Sequence, residues 1–194
     1  MTKIIGLTGG IGSGKTTIAK YIETKGIPVY IADERAKVIT NSPEILSLIK
    51  EQFGQDVFTN DALDRKKLAN IVFKHPKKLN QLNQIIHPAV KLDFDVWLQY
   101  HSTFEYVVKE SAILFEANNF IKFYIIIAVV TPLYLRIERI LLRDDTTEAE
   151  IMKRINNQLT DIELIERADY VVYNSELNIS LLQVDKILKK LKIK

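Results

Sequence analysis

Residues 3–16 read KIIGLTGGIGSGKT. The apolar run at residues 3–8, bounded by glycine, predicts a short buried strand. Residues 14–25 then place Ile18, Ala19 and Ile22 on one face of a helix, with Gly26 as its stop. Between the two, residues 9–16 match G-x-x-x-x-G-K-[ST] through Gly9, Gly14, Lys15 and Thr16. Each residue type in that loop serves anion binding. Glycines let successive backbone N–H groups curl inward toward phosphate oxygens, and the helix N-terminus adds a positive partial charge. Gly10, Gly12, Ser13, Gly14, Lys15, Thr16 and Thr17 are therefore the expected nucleotide contacts. Lys15 would reach the β- and γ-phosphates, and the Thr16 hydroxyl would ligate Mg²⁺. The alternative is a glycine-rich turn that binds nothing, and glycine usage weighs against it. The chain has 7 glycines, five of them (Gly6, Gly9, Gly10, Gly12, Gly14) fall within nine residues, and none follows Gly54.

Outward from this unit, residues 27–31, 104–108, 123–130 and 169–173 read as further strands. They are rich in valine and isoleucine without strict alternation, as in a parallel sheet covered on both faces. Apolar residues recur at helical spacing over residues 43–100, as in Leu46 and Ile49, then Leu68, Ile71 and Val72, then Leu79, Leu82, Ile85 and Ile86. A crossover needs only one helix, so this stretch reads as an inserted helical subdomain. A second, charged helical block covers residues 133–167, with Arg136, Arg139, Arg143 and Arg154, and an amphipathic helix covers residues 177–191. The expected fold is a three-layer α/β P-loop domain with a five-stranded parallel sheet. Its nucleotide-binding core would take residues 1–40, 101–132 and 168–194, its acceptor-binding insert residues 41–100, and its lid residues 133–167.

Composition narrows the class. The 194 residues suit one compact domain, and 47% apolar with 26% charged residues is ordinary for a globular protein. With no cysteine, disulfides, thiolate nucleophiles and zinc–thiolate sites are excluded. A formal charge of +3 is too mild to argue for nucleic acid. The lysines at 186, 189, 190, 192 and 194 read as a solvated helix end complementing the helix dipole. The N-terminus lacks the order of a signal peptide. The longest apolar run, residues 123–130, is too short to span a bilayer as a helix. The expectation is a cytoplasmic protein, a monomer or weak homo-oligomer, with small-molecule partners and neither nucleic acid nor membrane.

GTPases carry N-K-x-D and D-x-x-G, and neither string occurs. A motor ATPase would show a hydrophobic strand ending in Asp or Asp-Glu, and the nearest approach, YVVKE at residues 106–110, is a poor match. A small-molecule kinase needs a carboxylate near the acceptor hydroxyl and cations over the transferring phosphoryl. Asp33 follows the second strand, at the strand ends where open parallel sheets bind ligands. Spacing alone divides it evenly between this role and a helix N-cap. Arg139 and Arg143 share one helix face, followed by Asp144 and Asp145. On spacing alone a solvated face is the commoner role for such arginines.

Together these strings resemble the dephospho-CoA kinase family over nearly the whole chain. They are GLTGGIGSGKTT at residues 6–17, ADERAK at 32–37, LDRKKLANIVF at 63–73, LNQIIHPAV at 82–90, ILFEAN at 113–118, RILLRD at 139–144, INNQ at 155–158 and ADYVVYN at 168–174. The resemblance implies transfer of the ATP γ-phosphoryl to the ribose 3′-hydroxyl of dephospho-CoA, the last step of coenzyme A biosynthesis. It implies catalytic roles for Lys15, Asp33, Arg139 and Arg143, with Asp33 orienting or deprotonating the hydroxyl and the arginines in a lid. It also implies that Arg65 and His87 help form the acceptor pocket and that Asn174 lies near the adenine. Where the family often has Asp-Ala-Asp, this chain has Ile31, Ala32 and Asp33, so only the second carboxylate is present. His75 and His87 each precede proline, which favours a helix boundary. That reading suffices for His75, and Trp97 reads as packing. Two rivals remain at this level: a kinase of another small hydroxyl compound, and a nucleotide-binding module without catalysis.

Overall fold

The computed structural model describes residues 1–72, 75–115 and 122–192. Phe73 of the LDR string, Glu116, Ala117 and Asn118 of the ILFEAN string, and Lys194 lie outside the described residues. In chain order the elements are β1 (Lys3–Thr8), α1 (Lys15–Thr24), β2 (Val29–Ile31), α2 (Ala32–Ile39) and α3 (Pro43–Phe53). A 3₁₀ turn (Gln55–Val57), β3 (Phe58–Thr59), β4 (Ala62–Leu63), α4 (Arg65–Val72) and α5 (Pro76–Tyr100) follow. The chain continues through β5 (Tyr106–Glu110), β6 (Ile125–Val130), α6 (Leu133–Arg143), α7 (Glu148–Ile155), α8 (Asp161–Arg167), β7 (Tyr170–Tyr173) and α9 (Leu177–Lys190). These elements form two compact units, Met1–Ile31 with Tyr100–Lys194, and Ala32–Gln99.

The first unit is built on a five-stranded sheet in the order β2-β5-β1-β6-β7, with every neighbouring pair parallel. Alternation in β1 assigns its faces. Ile5 and Leu7, both fully buried, join a core with Ile18, Ala19 and Ile22 of α1 and Val184, Ile187 and Leu188 of α9. Burial of each of these isoleucine, leucine and valine side chains contributes about 1.5–3 kcal/mol. Gly6, between them, is crowded by Phe123, Ile126 and Leu114. Register places Leu7 opposite Glu110, so β5 ends where β1 runs into the glycine loop. The sequence expectation set this strand at residues 104–108. The observed strand runs two residues further because Lys109 and Glu110, charged residues that usually mark a strand's end, are buried in it.

Two capping boxes order the charged block. Thr147 with Glu150 opens α7, and Thr160 with Glu163 opens α8. Such caps satisfy N–H groups that the first helical turn leaves open.

The second unit has its own core of Ile45, Ile49, Val57, Phe58, Leu68 and Val72. The helical reading of residues 43–100 needs one correction: β3 and β4 form an antiparallel hairpin. Its two-residue turn is Asn60-Asp61, with φ of 51° and 60°. Asn and Asp accept that left-handed conformation better than other non-glycine residues. Helix α5 opens on Pro76, as His75-Pro76 predicts, but runs through Pro88. Leu79, Leu82, Ile85 and Ala89 pack from both sides of that proline into one cluster, and this offsets the hydrogen bond that proline removes.

Candidate active site: the phosphate loop and its supports

The loop leaves β1 at Thr8 and enters α1 at Lys15. Gly14 is the helix N-cap and adopts φ 82°, ψ 13°, a left-handed conformation that costs other residues free energy. A Cβ there would overlap the Asn174 side-chain amide. Gly10 serves differently: a Cβ on it would overlap the Arg136 guanidinium. Within the loop, Ser13 N–H donates to Gly10 O at 3.1 Å.

Lys15 is buried, and its Nζ lies 3.6 Å from Oε1 of Glu110, whose side chain is fully inaccessible. A phosphate in the loop would offer this ammonium the same charge as the carboxylate does. Thr16 and Thr17 occupy the first turn of α1. The buried hydroxyls of Thr8 and Ser13 have no hydrogen-bond partner among the described residues. Orphaned polar atoms of this kind in a native site call for a ligand, ion or water.

The back of the loop is held by residues far along the chain. Asn174, at the end of β7 and 3% exposed, donates from Nδ2 to Ser13 O at 2.7 Å. Its Oδ1 accepts from Ser180 Oγ at 2.9 Å. The Thr131 hydroxyl lies 2.9 Å from Ser13 O and 3.1 Å from Asn174 O, and donates to one at a time. Arg139 donates from Nη2 to Asn174 O at 3.0 Å, while its buried Nη1 has no hydrogen-bond partner among the described residues. Arg136, 5% exposed, donates from Nε to Ile11 O at 2.9 Å and pairs through Nη1 with Asp161 at 3.3 Å. Burial lowers the Arg136 pKa from its ordinary value and raises that of Asp161, with the mutual attraction opposing both shifts. The Ile11 N–H donates to Gln158 Oε1 at 2.8 Å.

The structure thus brings Lys15, Arg139 and Asn174 to the loop. Arg143 points elsewhere: its guanidinium grips Asp144 through Nε at 2.8 Å and Nη2 at 3.0 Å. That hydrogen-bonded pairing raises its pKa. Asp33, Arg65 and His87 belong to the second unit. Asp33 is the second residue of α2, inside the helix rather than its N-cap, and is exposed. Among the described residues its carboxylate has no hydrogen-bond or ion-pair partner. Arg65 opens α4 and donates from Nη2 to Lys37 O at 2.8 Å and Asn41 Oδ1 at 3.2 Å, so it ties α4 to the end of α2. On α2 itself, Arg35 makes a two-pronged contact with Asp93 of α5. His87 is half-buried in α5, and desolvation holds its imidazole below the usual histidine pKa.

Four supports escaped sequence reasoning. Glu110 closes YVVKE, whose Lys-Glu ending departs from the Asp or Asp-Glu expected at such a strand end. Arg136 had a readable signal: it precedes the buried Ile140 by four residues and so lies on the buried face of α6. Gln158 closes the INNQ string at residues 155–158, which marks the segment but not its contact with the loop, and Thr131 has no such signal.

The donor set suits Mg²⁺, a hard cation that takes oxygen ligands and keeps several waters beside substrate phosphates. Thr16 offers a hydroxyl, and Glu110 offers a carboxylate at the adjacent strand end. No group of three or more His, Asp or Glu among the described residues is arranged to hold a metal unaided.

The family model described as Dephospho-CoA kinase matches residues 3–178. A dephospho-CoA kinase from Bacteroides fragilis is 39% identical over 171 residues, covering 88% of this chain and 83% of that protein. The crystal structure of TT1252 from Thermus thermophilus superposes with a TM-score of 0.85 at 29% identity, covering 97% of each chain. Dephospho-CoA kinase from Campylobacter jejuni shares the fold at TM-score 0.68 and 22% identity, covering 98% of each chain. The architecture is the P-loop kinase fold, and with the family model spanning most of its length the chain belongs to the dephospho-CoA kinase family.

Proposed function

We propose that the chain performs its family's reaction with the phosphate loop holding ATP and Asp33 addressing the acceptor. The reaction is transfer of the γ-phosphoryl of ATP to the ribose 3′-hydroxyl of dephospho-CoA, giving CoA and ADP. One observation carries the assignment of the loop: Lys15, buried beside Glu110, lies among orphaned hydroxyls on a loop whose carbonyls are tied back by Arg136 and Asn174. With the Ile11 and Ser13 carbonyls turned to these supports, the N–H groups of the same peptides, those of Gly12 and Gly14, are left to face an anion.

Lys15 would exchange Glu110 for the β- and γ-phosphates. Arg139, anchored at Asn174 O with a spare buried N–H, would add positive charge over the transferring group. Arg143 would join it by releasing Asp144 when the lid closes. Thr16 would hold Mg²⁺, assisted by Glu110, and the metal would supply charge neutralisation of the phosphate oxygens. Asp33 would accept or orient the hydroxyl proton, its exposed and unpaired carboxylate being available for it. Arg65 and His87 would line the acceptor side, and Asn174 would lie near the adenine while bracing Ser13. The working protein is proposed to be cytoplasmic and a monomer or weak homo-oligomer. No described helix is long and apolar enough to cross a membrane.

The test is ADP formation from Mg·ATP with and without dephospho-CoA, with the product identified by mass. Release that depends on dephospho-CoA, with a gain of one phosphate, is expected. Asp33→Asn should lower kcat by about 10²–10⁴-fold while leaving ATP affinity near wild type. Near-normal turnover in that variant would refute the role of Asp33.

A further inference from the structure

We propose that Gln158 is a positioning residue for nucleotide binding, acting through the Ile11 peptide at the apex of the phosphate loop. The inference rests on the reading that this loop holds the ATP phosphates. Ile11 is clamped on both backbone groups by side chains from outside the loop. Its N–H donates to Gln158 Oε1 at 2.8 Å, and its carbonyl accepts from Arg136 Nε at 2.9 Å. The two clamps are joined to each other. Arg136 pairs with Asp161, the first residue of α8, and Asp161 stands three residues after Gln158. The segment from Gln158 to Asp161 therefore closes a ring: Ile11 O to Arg136, to Asp161, back along the chain to Gln158, and to Ile11 N.

The ring fixes the plane of the peptides on both sides of Ile11. This matters because a phosphate loop works by the direction of its dipoles. A peptide that turns over presents a carbonyl where an N–H should meet a phosphate oxygen, and attraction becomes repulsion. Arg136 is buried and cannot swing away cheaply, so the Ile11 carbonyl is held from behind. Gln158 is half-buried, in the connection between α7 and α8, and it supplies the adjustable half of the clamp. Nucleotide affinity then depends on where this connection sits, and binding of the acceptor alone does not.

Gln158→Leu removes the acceptor at nearly constant volume, whereas Gln158→Glu keeps an oxygen that the Ile11 N–H can reach. The measurements are ADP and dephospho-CoA affinities by calorimetry, KM for each substrate, and hydrogen exchange of the Ile11 amide by NMR. In Gln158→Leu, KM for ATP and Kd for ADP are expected to rise about three- to tenfold, the range for one lost hydrogen bond. Kd and KM for dephospho-CoA should stay within about twofold, and Ile11 exchange should accelerate. In Gln158→Glu the Ile11 amide should stay protected. Unchanged ADP affinity and Ile11 exchange in Gln158→Leu, or equal losses for both substrates, would overturn the proposal alone. Absence of ADP binding by the wild-type chain would sink the phosphate-loop reading and the proposal with it.

Discussion

Gly14→Ala is the substitution whose cost can be built up from the geometry. Gly14 sits at φ 82°, and moving an alanine into that left-handed region costs about 1–2 kcal/mol. The new methyl would also overlap Asn174 Nδ2. That amide cannot simply move aside, being 3% exposed and fixed by bonds to Ser13 O and Ser180 Oγ. Displacing it forfeits roughly one or two hydrogen bonds, each worth about 0.5–1.5 kcal/mol. The expected total is about 2–4 kcal/mol. Asn174→Ala alone should cost about 1–3 kcal/mol. It leaves no partner stranded, because Ser13 O keeps Thr131 and Ser180 Oγ keeps Glu176 O. The double variant removes the overlap and forfeits the same hydrogen bonds only once. Its cost should therefore fall short of the sum by about 1–2 kcal/mol. Urea unfolding of the wild type, both single variants and the double variant at pH 7 measures this. Additivity to within about 0.5 kcal/mol would show that Gly14 and Asn174 are not in steric competition, and the account of why glycine is needed there would fail.

Glu110→Gln should destabilise the ligand-free protein by about 3–5 kcal/mol, since it leaves the buried Lys15 charge without its carboxylate. That loss should shrink with saturating Mg·ATP, whose phosphates replace Glu110 beside Lys15, and an equal loss with and without nucleotide would count against the exchange. His87 has its pKa lowered by burial, so the unfolded chain binds its proton more readily than the folded one. The stability associated with neutral His87 is present above the unfolded value near 6.5 and is lost as pH falls through the lower folded value. His87→Gln should flatten the stability profile on the acid side of pH 6.5, measured by urea midpoints between about pH 5 and 7.5, and an unchanged slope would remove His87 as its source.

Legibility in the sequence followed the range of the forces involved. The strand at residues 3–8, the glycine loop and α1 were readable because pattern, turn and helix start are all local. The order β2-β5-β1-β6-β7 was not, since valine-rich runs state that a strand is buried but not which neighbour covers it. The β3–β4 hairpin was hidden because Phe58, Thr59, Ala62 and Leu63 are too few to show a period of two inside a helical background. Charged residues misled in a consistent direction. The expected strand stops at residue 108, short of Lys109 and Glu110, and Arg136 counts only toward a charged helical block, yet all three are buried. Glu110 and Arg136 each have a compensating group more than 20 residues away, Lys15 for Glu110 and Asp161 for Arg136. Burial of a charge is a tertiary event, and its signature appears only once the partner is placed.

The same distinction explains why five glycines crowd into residues 6–14. The motif rationalises Gly14 by backbone conformation, but Gly6 and Gly10 are demanded by what approaches them. Gly6 lies under Phe123, Ile126 and Leu114, and Gly10 under the Arg136 guanidinium. Arg136 can reach Ile11 O only across the face that a side chain at residue 10 would fill. The loop and the block that follows β6 are thus matched surfaces, the absence of side chains on one admitting a buried cation from the other. A loop held in this way spends little of its nucleotide affinity on ordering itself, because its backbone is already fixed from behind before a phosphate arrives. It follows that enlarging Gly10 and shortening Arg136 should each harm nucleotide binding. The combination Gly10→Ala with Arg136→Ala would recover the space but not the hydrogen bond to Ile11, so relief of strain should return stability without returning affinity.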